Sequence, residues 1–60
     1  MLLREIEKYL WSTGMAPTRF GKESVGDPRF VFELRNGREA RGATALRVLR
    51  FIKARREMNS

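Results

Sequence analysis

The chain has 60 residues, no cysteine and no histidine, and its 13 lysines and arginines exceed its seven aspartates and glutamates to give a net charge of +6. A chain of this length forms one domain, here residues 1–60, and buries only about 60% of the surface that its unfolded form exposes. The composition excludes disulfides, thiolate metal sites and catalysis by cysteine or histidine, and no apolar run is long enough to cross a bilayer. We expect no metal, no cofactor and no membrane association.

The excess positive charge lies in the second half of the chain. Residues 1–27 contain four basic and four acidic residues, whereas residues 28–60 contain nine basic and three acidic residues. Ten of the 13 cations are arginines, whose planar guanidinium suits phosphates and guanine edges better than a lysine does. A basic surface can serve solubility alone, but so uneven a distribution favours a polyanionic partner.

Two helices are predicted in the first half. Apolar residues recur there at helical spacing, at Leu2, Leu3, Ile6, Tyr9 and Leu10. This pattern predicts a helix over residues 2–12, which Gly14 ends as a left-handed cap. Pro17 suits the start of a second helix, over residues 17–24. The inward residues of that second helix would be Phe20 and Gly21, together with Ser24 or Val25.

The central segment "FVFELRNG", residues 30–37, combines strand formers with the Asn-Gly dipeptide that is typical of hairpins. The five residues after it have no alternating apolar face that could form the partner strand. Asp27 suits a helix cap, Pro28 suits a first helical turn, and Gly37 suits a left-handed helix end. The sequence therefore predicts a third helix, over residues 28–35.

A fourth helix is predicted over residues 43–56, before a frayed tail at residues 58–60. Its apolar side consists of Ala45, Val48, Leu49 and Ile52, widened by Leu46 and Phe51. Its other side is basic, with Arg47, Arg50, Lys53, Arg55 and Arg56. Such a helix can also bind a membrane surface or a partner, but in so short a chain we expect its apolar side to face the core.

The second and third predicted helices are separated by a short turn at residues 25–27. Helices that cross closely, as in a helix-turn-helix, need a small residue in the first helix, an apolar residue about ten positions later, and another three positions beyond that. Gly21, Val31 and Leu34 meet this spacing. We therefore predict an all-α fold, a small bundle of four short helices containing a helix-turn-helix.

The segment "PTRFGKESVGDPRFVFELRNGR", residues 17–38, resembles the lambda-repressor/Cro-like helix-turn-helix DNA-binding domains. With the flanking helices, the resemblance extends from about residue 2 to residue 52. Three features carry the resemblance. Phe20–Gly21 resembles the family's apolar-then-small pair, and Val31 and Leu34 match the two buried positions of its recognition helix. Leu34–Gly37 resembles the family's exit from that helix into the next loop.

This resemblance implies sequence-specific binding to double-stranded DNA, with the helix at residues 28–35 in the major groove. Arg29 would bind guanine O6 and N7, or a phosphate. Glu33 could accept a hydrogen bond from cytosine N4, but we favour an i,i+4 pair that orients Arg29. Phe32 could touch thymine methyl groups, although we favour its folding back onto the core or a partner subunit, with Phe30 semi-buried.

Polar residues on both sides of this helix would bind the DNA backbone without selecting a sequence. They are Arg19, Lys22, Asn36, Arg38 and Arg41. The alternative for each is a solvated side chain, and we expect this of one or two of the five.

One unit of this size touches only a few base pairs, so we expect a homodimer on DNA. The exposed apolar residues that hint at its interface are Trp11, Phe32 and Phe51, with packing under the first helix as the alternative for Trp11. The expected protein is a small transcriptional regulator of bacterial or phage type, in the cytoplasm and associated with the nucleoid.

Two other functions are possible for such a sequence. The same helices could form a protein-interaction module, of antitoxin or adaptor type, that binds an acidic partner. Substitution of Arg29 would distinguish DNA binding from protein interaction, since a DNA-binding protein would lose sequence preference whereas an adaptor depends more on apolar surface residues.

RNA binding is less favoured because the aromatic residues do not form a stacking surface on a sheet. We do not expect an enzyme, because no carboxylate pair lies beside a base, a metal ligand or a phosphate-binding loop.

Overall fold

The computed structural model describes residues 2–58, which form four α-helices and, within that range, no strand. The helices are α1 (Leu2–Thr13), α2 (Pro17–Val25), α3 (Phe30–Arg35) and α4 (Gly42–Met58). The predicted all-α bundle of four helices is confirmed, and the helix ends differ from the predicted ones by at most two residues. Of the predicted frayed tail, only Met58 is described, and it is the last residue of α4.

The boundary between α1 and α2 follows the predicted signals. Gly14 has a φ of 72°, and its N–H donates to the Leu10 carbonyl at 2.9 Å. The Thr13 hydroxyl donates to the Tyr9 carbonyl at 2.8 Å and so satisfies a second acceptor at the end of α1. Pro17 is the first residue of α2, where its missing N–H costs no helical hydrogen bond.

The start of α3 lies two residues later than predicted. The Asp27 carboxylate accepts a hydrogen bond from the Arg29 N–H at 2.9 Å, and its carbonyl accepts one from the Phe30 N–H at 3.1 Å. These bonds form a tight turn before the first α-helical bond, from the Glu33 N–H to the Arg29 carbonyl. Asp27 therefore satisfies backbone donors as predicted, but Pro28 lies in the turn and not in the helix.

The end of α3 explains why Asn36–Gly37 forms no hairpin. Gly37 has a φ of 100°, and its N–H donates to the Leu34 carbonyl at 3.1 Å. The Arg38 N–H donates to the Glu33 carbonyl at 3.0 Å. This pair of bonds is the Schellman motif, which needs a residue in the left-handed region and so favours glycine.

All four helices contribute to one small core. Its buried members are Ile6, Tyr9, Leu10, Phe20, Phe30, Val31, Leu34, Val48 and Ile52. The predicted burial of Val31 and Leu34 is confirmed, as is that of Phe20 on α2. Phe30 is only 1% exposed, so the prediction that it is semi-buried is wrong.

The orientation of α4 differs from the prediction at three residues. Phe51 packs against the core, with its ring centroid 5.4 Å from that of Phe20 and 6.3 Å from that of Tyr9. Leu46 and Leu49 remain 48% and 42% exposed. The predicted exposure of Phe51 and the predicted burial of the two leucines are therefore wrong. The reason is that the larger aromatic ring fills the core, and the helix face centred on Val48 turns towards it.

Gly21 allows α2 to approach the start of α3. A Cβ atom at this position would lie 2.3 Å from the Asp27 carbonyl oxygen and 3.3 Å from the Phe30 Cβ. The buried Ser24 hydroxyl donates to the Phe20 carbonyl at 2.7 Å, so its burial leaves no donor unsatisfied. The predicted inward residues of α2 are thus confirmed. No helix within residues 2–58 is long and apolar enough to cross a membrane.

Candidate nucleic-acid interface

The packing of α3 fixes which of its side chains face solvent. Phe30, Val31 and Leu34 are buried against the rest of the bundle. Phe32 on the opposite side is 41% exposed, and Arg29, directly before the helix, is exposed as well. The short helix therefore presents an arginine and an aromatic ring to solvent from a rigidly packed base.

Arg29 is exposed at the N-terminal end of α3 and has no ion pair within residues 2–58. The expected pair between Arg29 and Glu33 does not form. Glu33 instead accepts a hydrogen bond from Arg38, because the turn at Gly37 brings Arg38 back beside α3. The interpretation that Glu33 orients Arg29 is therefore wrong, and the Arg29 guanidinium is available for a ligand.

Arg38 contacts both ends of the α3 segment. Besides Glu33, its guanidinium lies 3.7 Å from the Asp27 carboxylate and 5.8 Å from the centroid of the Phe30 ring. The side chain is 47% exposed, so these contacts leave part of it open to solvent. Arg38 can therefore bind a phosphate only by exchanging or sharing its carboxylate partners.

Phe32 does not fold back onto the core, so that part of the favoured interpretation is wrong. The ring is covered on one side by the guanidinium of Arg35, which lies 5.7 Å from the ring centroid. Such a cation–π contact partly shields the aromatic ring while leaving its edge accessible. Contact of Phe32 with DNA or with a partner subunit remains a prediction.

Arg35 is held by α1. Its Nε donates to Glu7 Oε2 at 2.8 Å and its Nη2 donates to Glu7 Oε1 at 2.7 Å. The hydrogen bond from Arg35 lowers the pKa of the Glu7 carboxyl below its ordinary value of 4.5 and raises the pKa of Arg35. No local pattern in the sequence predicts this pair, because the two residues are 28 positions apart.

A second charge cluster joins α2 to α4. Arg19 Nε donates to Glu23 at 2.5 Å, one helical turn away, and Arg55 donates to the other oxygen of the same carboxylate. The hydrogen bond from Arg19 lowers the pKa of Glu23, and the same bond raises the pKa of Arg19. Arg19, predicted to contact the DNA backbone, is thus already ion-paired, although its side chain is 66% exposed.

The remaining predicted backbone contacts are available for a ligand. Lys22 and Arg41 are exposed and have no ion pair within residues 2–58, and Asn36 is exposed at the C-terminal end of α3. Lys22 borders an open groove between α2 and Pro28. The eight predicted site residues therefore lie on α2, on α3 and in the turns at either end of α3.

Arginine and lysine side chains dominate the chemistry of this surface. Within residues 2–58 no group of three acidic, histidine or cysteine residues could hold a metal ion. Every buried polar side-chain atom in the same range has a hydrogen-bond partner. No protein-family model, curated protein or solved structure matches the chain.

Proposed function

We propose that the protein binds double-stranded DNA sequence-specifically, as a helix-turn-helix domain of the lambda-repressor/Cro-like type. It then acts as a small transcriptional regulator at the nucleoid, in the cytoplasm. The observation that carries this proposal is the arrangement of α3, which is buried along one side. Arg29 is exposed at its N-terminal end and has no ion pair among residues 2–58. Base contacts in a helix-turn-helix come from this end of the recognition helix.

The dimensions of α3 suit the major groove. An α-helix with its side chains is about 10–12 Å across and the groove is about 12 Å wide, and the six residues of α3 extend about 9 Å along it. From this position the fork of Arg29 can bind O6 and N7 of one guanine, a contact worth roughly 1–3 kcal/mol of discrimination. Phe32, one turn further along, supplies an apolar edge for a thymine methyl group.

The four cations proposed to contact phosphates divide into two groups. Lys22 and Arg41 are exposed and unpaired among residues 2–58, so they can bind phosphates without losing an internal partner. Arg19 and Arg38 have carboxylate partners that a phosphate would replace. Asn36 can donate to a phosphate at the far end of α3. These contacts set position and orientation, and they make the affinity depend on salt.

Two copies would occupy two half-sites about one helical turn apart. The proposed contact between copies is Trp11, whose side chain is 92% exposed on α1. Glu7 and Lys8 lie beside it and line the same open surface pocket. A patch with an exposed aromatic ring can pair with itself across a two-fold axis, as a symmetric dimer requires.

Fluorescence anisotropy on random duplex DNA across a salt series tests the proposal, with duplex RNA of the same length measured alongside. We expect stronger binding to DNA than to RNA and a steep loss of affinity with salt. Selection from a random DNA library then yields a preferred site. Arg29→Ala should reduce preference for one base pair of that site by about tenfold, as loss of a bidentate contact does.

Arg47→Ala is the matched control, because Arg47 is also exposed and unpaired among residues 2–58 but lies on α4. It removes the same charge and should leave base preference unchanged. An absence of DNA binding near micromolar protein at low salt would overturn the proposal. Equal effects of the two substitutions on base preference would show that Arg29 does not contact the bases.

A further inference from the structure

The outward side of α4 combines apolar and basic residues that the DNA-binding surface does not use. Leu46 and Leu49 are 48% and 42% exposed there, although leucine is among the residues most often buried. The cations Arg50 and Lys53 follow the two leucines at a spacing of four residues, so each cation lies on the same side of the helix as the leucine before it. We define the α4 outer face as Leu46, Leu49, Arg50, Lys53 and Arg56.

The charge of α4 is strongly positive. The helix carries five cations and a single carboxylate, that of Glu57. Arg55 is the cation that turns inward to Glu23 on α2. The cations of the α4 outer face are all exposed, and none of them has an ion pair within residues 2–58. The two exposed leucines therefore lie on a side of α4 whose net charge is positive, because three cations exceed the one carboxylate of Glu57.

A groove runs beside the second leucine. It lies between α1 and α4, is open to solvent and has a volume of about 380 Å³. The buried Ile52 and the exposed Leu49 give it an apolar floor, and two cations with two carboxylates border it, Lys53 and Arg56 with Glu5 and Glu57. The groove itself suits apolar side chains of a ligand, and Arg50 beside it adds the positive charge that favours an acidic one.

We propose that the α4 outer face binds an acidic amphipathic helix of a partner protein, an activity separate from DNA binding. Leucines of the partner would cover Leu46 and Leu49, and its carboxylates would surround them and pair with Arg50, Lys53 and Arg56. This is the helix-in-groove mode of recognition, in which apolar residues supply affinity and the surrounding charges select the partner.

Charge and apolar area argue against the other occupants of this surface. A second copy would bring two strongly basic helices together, and like charges at an interface oppose association. A nucleic acid would satisfy the cations but leave the leucines uncovered. A membrane-surface helix needs a broad apolar face with aromatic residues, and the α4 outer face has only two leucines.

The test uses the full chain and a fluorescent synthetic peptide whose helix carries leucines on one side and glutamates around them. Polyglutamate of equal charge, duplex DNA and vesicles containing phosphatidylglycerol are the comparison ligands. The variants are Leu46→Gln/Leu49→Gln, which removes the apolar part, and Arg50→Gln/Lys53→Gln, which removes charge. Trp11→Gln is the control, because it removes an even more exposed apolar residue from α1. Circular dichroism checks that every variant stays helical.

We expect the peptide to bind at least about tenfold more tightly than polyglutamate, and each double variant to weaken it by about tenfold. Trp11→Gln should leave peptide affinity unchanged. The Leu46→Gln/Leu49→Gln variant should bind random DNA as tightly as the original chain does. The test of peptide binding is therefore independent of the test of DNA binding.

Three results would overturn the proposal. Equal affinity for polyglutamate and the peptide would make the face a simple polyanion site. Binding to the vesicles without binding to the peptide would assign it to membranes. A dimer that the leucine substitutions convert to a monomer would show that a second copy covers the face.

Discussion

Arg35 on α3 and Glu7 on α1 form a two-point ion pair, with Nε–Oε2 and Nη2–Oε1 distances of 2.8 Å and 2.7 Å. The paired geometry fixes the plane of the guanidinium, which also lies over the ring of Phe32. The first helix therefore restrains the C-terminal end of the proposed recognition helix. A contact outside the segment formed by α2 and α3 thus helps to set the surface that this segment presents.

The first prediction concerns the pH dependence of this ion pair. The hydrogen bond from Arg35 lowers the pKa of Glu7 in the folded state, so the stabilisation is fully present above the ordinary pKa of 4.5 and is lost as the pH falls through the folded value. Both side chains are about 40% exposed, so solvent screening limits the pair to roughly 0.5–1 kcal/mol. Glu7→Gln should lower the free energy of unfolding by this amount at pH 7, and by progressively less as the pH falls through the folded pKa of Glu7.

Urea unfolding followed by circular dichroism at a series of pH values measures this difference. Glu5→Gln is the control, since Glu5 makes only a 3.9 Å contact with the exposed Lys8. It should change stability less than Glu7→Gln does at pH 7. An effect of Glu7→Gln that is the same size at both ends of the pH series would contradict an origin in the carboxylate charge.

Local signals in the sequence were sufficient to predict the helices. Gly14 and Gly37 both adopt left-handed conformations that end helices, and Pro17 begins one. Gly21 and the apolar residues three apart on α3 follow directly from the need to pack two short helices closely. These features depend on neighbours in the chain, and for that reason a pattern could reveal them.

Contacts distant in sequence were not predictable in the same way. Helical periodicity places Phe51 only at the margin of the apolar side of α4, and it cannot show that Tyr9 and Phe20 accept its ring. The ion pair predicted between Glu33 and Arg29 is wrong for a similar reason. The turn that brings Arg38 back beside α3 depends on three-dimensional geometry, which spacing along the helix does not include. Seven of the eight candidate residues are exposed and Glu33 is half-buried, but only the three-dimensional structure reveals which of the cations already have carboxylate partners.

The second prediction concerns the close approach of α2 to the turn before α3. Gly21→Ala places a Cβ atom 2.3 Å from the Asp27 carbonyl oxygen, which belongs to the backbone and cannot rotate away. We expect a loss of roughly 1–3 kcal/mol in the free energy of unfolding. Gly42→Ala is the matched control: no atom lies within 4 Å of its added Cβ, and its φ is not positive.

Alanine at position 42 should be neutral or stabilise by up to about 1 kcal/mol, because it restricts the unfolded chain. Urea denaturation of both variants measures the difference. Similar stabilities of the two variants would show that α2 can move away from the turn without cost.

The third prediction concerns the carboxylate of Glu33 on the proposed DNA-binding surface. Glu33 occupies Arg38 and adds a negative charge beside α3, so it should oppose phosphate binding. Glu33→Gln should therefore strengthen binding to random duplex DNA and steepen its salt dependence by about one phosphate contact. Glu39→Gln is the control, because it changes the net charge equally, while Glu39 has no ion pair within residues 2–58.

Anisotropy titrations at several salt concentrations give both affinity and slope. If Glu33→Gln frees Arg38 to bind a phosphate, it should raise DNA affinity and salt dependence more than Glu39→Gln does. Equal effects would mean that only the net charge of the protein matters and that Arg38 does not bind the DNA backbone.

The last prediction places the proposed dimer contact at Trp11. This is the only tryptophan in the chain and its side chain is 92% exposed, so its fluorescence reports on that position alone. If two copies pair there, emission should shift to shorter wavelength as protein concentration rises, because the indole leaves water. Trp11→Gln should weaken self-association by about tenfold or more in sedimentation equilibrium, since buried tryptophans carry much of the energy of an interface.

Leu46→Gln removes an exposed apolar residue from α4 and should leave self-association intact. If Leu46→Gln abolished the dimer and Trp11→Gln did not, the contact between copies would lie on α4, and the acidic-partner assignment of that helix would fail with it.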